Sequence, residues 1–213
     1  MVTATGVTHL AAVPTVWRAL VRHLEGQGSA GLSTLRLAVS SGEPLPGPLL
    51  RRMQAALPAD CRLLNLYGST EVAADCTWLD CSARGGDAAA GGGNPGVGRP
   101  VAKTLVAVMD PGKAAAGRWS LPEPGAVGEV FVAGSGLAAG YLGAPEETQR
   151  RFVSVPSWYL AEKREGVEGS LPAVRCFRTG DLGVFEDGCL HLKGRVDLQV
   201  KVAGEAPASL GFW

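Results

Sequence analysis

The chain has 213 residues, of which 46% are hydrophobic and 19% charged, and its 20 basic and 20 acidic side chains balance. This length allows one domain or two small ones with a buried core, and the composition is that of a globular rather than a disordered protein. Because no net charge would attract a polyanion or an acidic lipid surface, we expect neither nucleic acid nor a membrane as a partner.

The first third of the chain predicts alternating helices and strands. Residues 14–24 predict an amphipathic helix with Pro14 at its first position, and residues 48–57 predict a second helix. Residues 35–39 and 61–66 are short apolar runs that predict buried strands. Strand–helix–strand spacing of this kind favours a parallel α/β layer.

The rest of the chain predicts mostly short strands. The expected strands are residues 104–109, 129–133, 182–186 and 189–193, the last two joined as a hairpin through Asp187-Gly188. One helix is predicted at 145–152 and an exposed loop at 154–173. We therefore divide the chain into an α/β part (1–81), a flexible low-complexity loop (82–98), a β-rich part (99–202) and a divergent tail (203–213).

Cysteine usage and the amino-terminal sequence bear on location. The five cysteines are odd in number and form no C-x-x-C pair, so we expect reduced thiols in an intracellular, cytoplasmic setting rather than disulfides or a zinc site. Near the start of the chain, His9, Pro14, Arg18 and Arg22 interrupt the apolar positions. This pattern predicts neither a signal peptide nor a membrane span.

The first candidate site follows the second predicted strand, at residues 65–71 (NLYGSTE). Proteins with α/β layers place ligand sites at the carboxyl ends of strands. Tyr67 can stack on a purine, and Gly68 allows close backbone approach. Thr70 can donate to a phosphate oxygen, and Glu71 can ligate Mg²⁺, which prefers carboxylate oxygen. The alternative is a strand end with a turn and an exposed acid.

Two further motifs, RTGD and GRVD, lie in the β-rich part. An ionised Asp181 can accept hydrogen bonds from both hydroxyls of a ribose, or it can simply stabilise a turn beside glycine. Arg195 can donate to ribose or phosphate, or it can form a surface ion pair with Asp197 or Glu186.

A glycine-rich segment at residues 128–142 formally matches a relaxed dinucleotide fingerprint at Gly134, Gly136 and Ala139. The fingerprint needs a strand that ends in an acid about 20 residues further on, inside a strand–helix–strand unit. The surroundings here are β-rich and no such strand is clear, so we do not expect an NAD site.

Taken together and in this order, the motifs NLYGSTE, RTGD and GRVD resemble those of the adenylate-forming enzymes. This family includes acyl-CoA synthetases, luciferases and the adenylation domains of peptide synthetases. The resemblance runs over residues 7–201. It implies an α/β fold, a partial large domain of such an enzyme with a parallel α/β layer followed by a β-rich subdomain. It also implies ATP and Mg²⁺ as cofactors. The implied reaction converts a small carboxylic or amino acid into an acyl-adenylate and then a thioester on a phosphopantetheine carrier.

The resemblance also implies roles for single residues. Residues 41–45 resemble a strand end whose backbone lines the adenine and acyl pocket, and residues 128–142 resemble a segment that mainly shapes the fold. The implied nucleotide-binding residues are Ser41, Gly42, Glu43, Tyr67, Gly68, Thr70, Asp181 and Arg195. The implied catalytic residues are Thr70 and Glu71, with Glu71 also the metal ligand, and Asp197 stands at an interdomain hinge.

Within the family, residues 65–78 look most like the β-alanine-activating branch. By position, Leu66, Ala74 and Asp75 would line the acyl pocket. Asp75 could pair with the ammonium of an amino acid, or it could merely cap the turn.

The departures from the family pattern leave two hypotheses. The family's pyrophosphate loop would precede Met1, its small carboxyl-terminal domain with the catalytic lysine would follow Lys201, and the sequence after Gly204 diverges. The chain is then either part of an adenylating enzyme and inactive by itself, or a non-catalytic truncated isoform. The second would keep at most a partial nucleotide-binding or interaction surface.

Overall fold

The computed structural model describes residues 6–24, 29–83, 93–110, 122–123, 125–156 and 173–196. This part of the chain forms two compact units. The first unit takes in the residues up to Gly68 together with Thr77–Arg99, and the second takes in Ser69–Cys76 and the residues from Pro100 onward. None of the helices described is both long and apolar enough to cross a membrane.

The first unit is a sheet with two helices, and it confirms the α/β class. Its helices are α1 (Pro14–Leu24) and α2 (Gly47–Ala56). Its strands are β1 (His9–Ala12), β2 (Leu37–Ser40), β3 (Arg62–Tyr67), β4 (Thr77–Asp80) and β5 (Arg99–Pro100), side by side in that order. Strands β1, β2 and β3 run parallel, and β4 is antiparallel to β3.

Helical periodicity builds the core of this unit. In α1 the residues Trp17, Val21 and Leu24 recur every three or four positions and are all buried. They pack with the buried face of α2, including Leu50 and Met53. The indole N–H of Trp17 donates to the carbonyl of Val39 in β2 at 2.8 Å, so the one polar atom of this buried ring is satisfied.

The second unit contains an antiparallel sheet. Its strands are β6 (Thr104–Met109), β7 (Gly128–Gly134), β8 (Phe152–Pro156), β9 (Ala173–Glu186) and β10 (Cys189–Arg195). The order is β10-β9-β7-β6, and β8 pairs with β9. Helix α3 spans Pro145–Arg151. The core of the unit includes Met109, Phe131, Val155 and Cys176.

Most predicted elements are confirmed, some with shifted ends. The predicted bounds of the first helix and of the strand at 104–109 match those of α1 and β6. The hairpin turns through Asp187 and Gly188, with φ of 51° and 74°, which suits a two-residue turn between twisted strands.

The predicted loop at 154–173 is wrong at both ends. Strand β8 covers its start because Phe152 and Val155 are buried on the sheet, and β9 begins at Ala173. Residues 157–172 lie outside the described part of the chain, as do residues 84–92 of the predicted low-complexity loop and the predicted tail. The sequence does not predict strands β1 and β4.

Candidate functional site

The predicted site residues fall in both units. The first unit holds Ser41, Gly42, Glu43, Leu66, Tyr67 and Gly68. The second unit holds Thr70, Glu71, Ala74, Asp75, Asp181 and Arg195. Asp197 lies outside the described residues.

In the first unit the predicted residues meet at one edge of the parallel sheet. Strand β2 ends at Ser40, whose register partner in β3 is Asn65. The residues that follow β2 therefore leave the sheet beside the end of β3, where Leu66 and Tyr67 lie. Because β2 and β3 are parallel, both segments lie at the carboxyl ends of these strands. Proteins with α/β layers bind ligands at this end of the sheet.

The side chain of Glu43 is committed to the protein itself. Its Oε2 accepts hydrogen bonds from the backbone N–H of Thr15 at 3.0 Å and from the Thr15 hydroxyl at 2.7 Å. Thr15 lies in the first turn of α1, where unpaired N–H groups and the helix dipole favour a carboxylate. Oε1 of Glu43 is buried without a hydrogen-bond partner among the described residues. Because the Glu43 side chain is bound to Thr15, a ligand would contact the backbone of residues 41–45, as the resemblance implies.

Tyr67 and Leu66 differ in exposure. The ring of Tyr67 is 8% exposed, whereas Leu66 is half-buried. Leu66 lies opposite Trp78 in the β3–β4 register, and the Arg99 guanidinium lies 4.7 Å from the centre of the Trp78 ring. Stacking of a purine on Tyr67 stays a prediction.

In the second unit the Thr70 segment forms a tight turn. Residues 70–72 make one 3-10 turn, and the amides of Val72 and Ala74 both donate to the carbonyl of Ser69. Ala73 and Ala74 follow with φ of 58° and 81°, a left-handed backbone that costs an alanine about 1–2 kcal/mol. Strain of this kind is concentrated at functional sites. Thr70 and Ala74 are exposed and Asp75 is half-buried.

Glu71 is held by a residue that the sequence did not single out. The hydroxyl of Tyr141 donates to Oε1 of Glu71 at 2.7 Å, and the amide of Ala138 donates to the Glu71 main-chain carbonyl at 2.8 Å. Burial, followed by the hydrogen bond to Glu71 and its charge, raises the pKa of Tyr141 well above its usual range. The phenol is therefore a neutral donor at physiological pH. Its spacing from Glu71 gives no local signal in the sequence.

Asp181 and Arg195 form one unit on neighbouring strands. They are register partners in β9 and β10, and Nη1 of Arg195 lies 2.7 Å from Oδ1 of Asp181. Both side chains are largely buried, at 13% and 18% exposed. The structure thus pairs Arg195 with Asp181, whereas Glu186 contacts His191 and Lys193.

Gly180 lets two guanidinium groups approach this pair. Its φ is +74°, and a Cβ atom there would lie 2.9 Å from Nη2 of Arg195 and 3.0 Å from Nη1 of Arg151. The glycine of the RTGD motif is therefore required both by its backbone conformation and by the space that the arginines occupy. Arg151 is itself paired with Glu147 at 3.0 Å, so two arginines and two carboxylates lie around this glycine.

The donor set can be compared with the needs of Mg²⁺. Among the described residues, no group of three or more His, Cys, Asp or Glu side chains could hold a metal ion. Mg²⁺ in nucleotide enzymes is usually bound through one or two carboxylates, with phosphate and water oxygens completing its shell. Glu71 is a single half-buried carboxylate, and it fits the role of one protein ligand to a metal–nucleotide complex.

Comparisons with known proteins cover most of the chain. The family described as AMP-binding enzyme matches residues 1–142. The β-alanyl-bioamine nonribosomal peptide synthetase ebony of Drosophila melanogaster is 33% identical over 203 residues, which is 93% of this chain and 21% of that protein.

Two solved structures share the fold. Holo-PA1221, a peptide-synthetase protein with adenylation and carrier (PCP) domains bound to a vinylsulfonamide inhibitor, is 26% identical with a TM-score of 0.75, over 95% of this chain and 31% of that one. The Vibrio cholerae adenylation domain AlmE in complex with glycyl-adenosine-5'-phosphate is 26% identical with a TM-score of 0.71, over 96% and 34%. The chain spans 14% or less of the length of three further curated relatives.

Proposed function

Because the chain belongs to the AMP-binding enzyme family, we propose that it forms part of an adenylation domain that activates an amino or carboxylic acid with ATP. In this reaction a carboxylate oxygen of the substrate attacks the α-phosphorus, the bond to the leaving pyrophosphate breaks, and an acyl-adenylate forms. A phosphopantetheine thiol of a carrier then attacks the acyl carbon. AMP leaves, and the thiol proton passes to solvent.

The largely buried Asp181–Arg195 pair is the observation that carries this proposal. A carboxylate fixed by a guanidinium at 2.7 Å can accept hydrogen bonds from ribose hydroxyls without moving. Arg195, beside this carboxylate, can also donate to a ribose or phosphate oxygen. Because the pair is largely buried, its charges are screened less by water than those of a surface pair.

The Thr70–Glu71 turn supplies the phosphate side of the proposed site. The exposed Thr70 hydroxyl can donate to a phosphate oxygen. Mg²⁺, when bound, would offset the negative charge that develops on the α-phosphate. Glu71 would hold that ion through its carboxylate, as one protein ligand among oxygens from the nucleotide and water.

For the substrate we propose a small amino acid, with β-alanine as one candidate. Support comes from the β-alanyl activity in the name of ebony and from the glycyl-adenylate bound to AlmE. On this chain Asp75 would pair with the substrate ammonium, with Ala74 beside it; a role for Leu66 in substrate binding is implied by the resemblance alone. Transfer to a carrier is supported by the carrier domain of PA1221.

Calorimetric titration of the chain with AMP and with Mg·ATP tests the nucleotide site. Asp181→Asn keeps the shape of the side chain and removes its charge, so we expect AMP affinity to fall about tenfold, the value of a charge-assisted hydrogen bond. Asp187→Asn is the matched control, because Asp187 lies exposed in the hairpin turn and asparagine tolerates its positive φ. Equal AMP affinity of both variants, or no binding by a folded sample, would refute the assignment. Saturable binding leads to pyrophosphate exchange assays with β-alanine, glycine and simple acids.

A further inference from the structure

We propose that Tyr141 is a positioning residue that restricts the Glu71 carboxylate to one-oxygen ligation of a metal ion, and that it thereby favours Mg²⁺ over Ca²⁺. The inference rests on the metal-binding role proposed above for Glu71 and deepens it. It assigns a further function to residues 134–141 of the glycine-rich segment 128–142, a segment that the resemblance suggests mainly shapes the fold.

Two groups of this segment form hydrogen bonds with Glu71. The Tyr141 hydroxyl holds Oε1 of the side chain at 2.7 Å, and the Ala138 amide holds the main-chain carbonyl at 2.8 Å. A residue fixed at both its backbone and its side chain loses little further rotamer freedom when a ligand binds. Glu71 is therefore preorganised before a metal arrives.

Close backbone contact makes these hydrogen bonds possible. A Cβ atom on Gly136 would lie 2.9 Å from the carbonyl oxygen of Val72 and 3.4 Å from the Cβ of Ala73. A side chain at residue 136 would push the segment away from the turn that carries Glu71. This close contact explains why residue 136 is a glycine, without a dinucleotide-binding role for the segment.

Tyr141 is itself anchored from the other side. The backbone N–H of Tyr141 donates to the hydroxyl of Thr148 in helix α3 at 2.8 Å. Its ring meets Phe152 edge to face with centres 5.7 Å apart. A Cβ on Gly140 would lie 2.5 Å from Thr148, so this turn is also closely packed. The hydroxyl is presented to Glu71 by a fixed ring.

The chemistry of the contact indicates its effect on a metal. A phenol hydroxyl is a neutral donor, so it occupies Oε1 without cancelling the charge that attracts a cation. Oε2 makes no hydrogen bond with any described residue and can ligate alone. Mg²⁺ requires near-octahedral geometry and suits single-oxygen ligation, whereas Ca²⁺ readily takes both oxygens of a carboxylate. Removing the hydroxyl should therefore relax the preference for Mg²⁺.

The first test needs no ligand. Tyr141→Phe keeps the ring and removes the hydroxyl, and hydrogen exchange in the free protein should speed up at the Ala138 amide and at the amides of residues 72–74. We expect an increase of about fivefold, as for the loss of one hydrogen bond. Leu142→Ala is the control, because Leu142 is 84% exposed beside Tyr141, and it should leave these rates unchanged.

The second test measures ATP affinity in Mg²⁺ and in Ca²⁺ by calorimetry. The wild-type chain should bind Mg·ATP more tightly than Ca·ATP, and Tyr141→Phe should reduce that ratio about tenfold, in the range seen for partners of metal ligands. In Glu71→Gln the affinities for Mg·ATP and Ca·ATP should be equal. The double variant should be no worse than Glu71→Gln alone, because Tyr141 acts through Glu71.

The outcomes separate this inference from the proposed function. Unchanged exchange in Tyr141→Phe overturns the positioning role, and faster exchange with an unchanged metal ratio shows a merely structural contact and overturns it as well. A wild-type chain that binds no nucleotide refutes the proposed function. In that case the positioning of Glu71 by Tyr141 stands or falls on the exchange rates of the free protein.

Discussion

Arg178 donates two hydrogen bonds to the carboxylate of Glu129, with Nη2–Oε2 at 2.7 Å and Nε–Oε1 at 3.3 Å. Glu129 is only 2% exposed, and the Arg178 guanidinium also lies 5.7 Å from the centre of the Phe131 ring. This two-pronged pair joins β7 to β9 three residues before Asp181. The strand that presents the proposed ribose carboxylate is thus held by a buried ion pair.

Loss of one partner from this pair should be costly. Glu129→Gln leaves the largely buried Arg178 without a counter-charge, and we expect the free energy of unfolding to fall by about 3 kcal/mol. Urea unfolding measures the loss. The control is Glu186→Gln, whose exposed pair with Lys193 at 3.6 Å should contribute less than about 1 kcal/mol. Similar losses in both variants would contradict the buried character of the Glu129 pair.

Gly98 is a second position where the structure predicts a large effect. A Cβ atom there would lie 1.9 Å from the carbonyl oxygen of Trp78, and φ is +80°. We expect Gly98→Ala to destabilise the protein by about 3 kcal/mol or more, from overlap added to backbone strain. Gly188→Ala provides the comparison, because Gly188 has φ +74° with nothing within 4 Å of a Cβ.

The comparison isolates the contact from the backbone. Gly188→Ala should cost only the strain of the left-handed conformation, about 1 kcal/mol. Thermal or urea unfolding of the two variants under one condition gives the difference. A Gly98→Ala protein as stable as the Gly188→Ala protein would mean that this close approach does not exist in solution.

Asp80 should make stability depend on pH. Burial alone would raise its pKa, but hydrogen bonds from Ser82 and from Arg62, whose Nη2 lies 2.9 Å away, outweigh burial and lower it. Because the folded pKa is depressed, the stabilisation is present above the ordinary aspartate pKa of about 4 and is lost as pH falls through the folded value. The side chain is 39% exposed, so we expect less than about 1 kcal/mol.

The measurement is the stability difference between wild type and Asp80→Asn from pH 7 to pH 3. The difference should shrink as the pH falls, and Arg62→Gln should reduce it at pH 7. A difference that grows toward low pH would have the wrong sign for a depressed pKa.

The cysteines should differ in their reactivity. All five are free thiols; Cys189 is half-buried and the other four are buried. Burial raises the pKa of Cys176 to about 12 and also raises that of Cys61. Since the thiolate is the reactive form, iodoacetamide at pH 8 should modify Cys189 first, and peptide mass spectrometry identifies the site. Comparable early labelling of Cys176 would count against the packing of β9, and all five should react alike in urea.

The sequence predicted much of the fold for a physical reason. Helix α1 has an apolar stripe long enough to show its period, and the hairpin at Asp187-Gly188 carries its own turn chemistry. The four-residue β2 is predicted because it lies in an apolar run, whereas β1 and β8 have neither such a run nor enough alternation to be separated from loops. Their pairing partners lie elsewhere in the chain and provide the burial that defines them.

By itself, the sequence predicts which side chains carry the chemistry. It points to Thr70, Glu71, Asp181 and Arg195 because their types beside glycine suit phosphate, ribose and metal. Only the tertiary structure decided what holds them. Tyr141 lies 70 residues from Glu71, and Arg195 meets Asp181 only through the β9–β10 register. Such partners follow from strand pairing and close backbone packing, which a local pattern of residues does not encode.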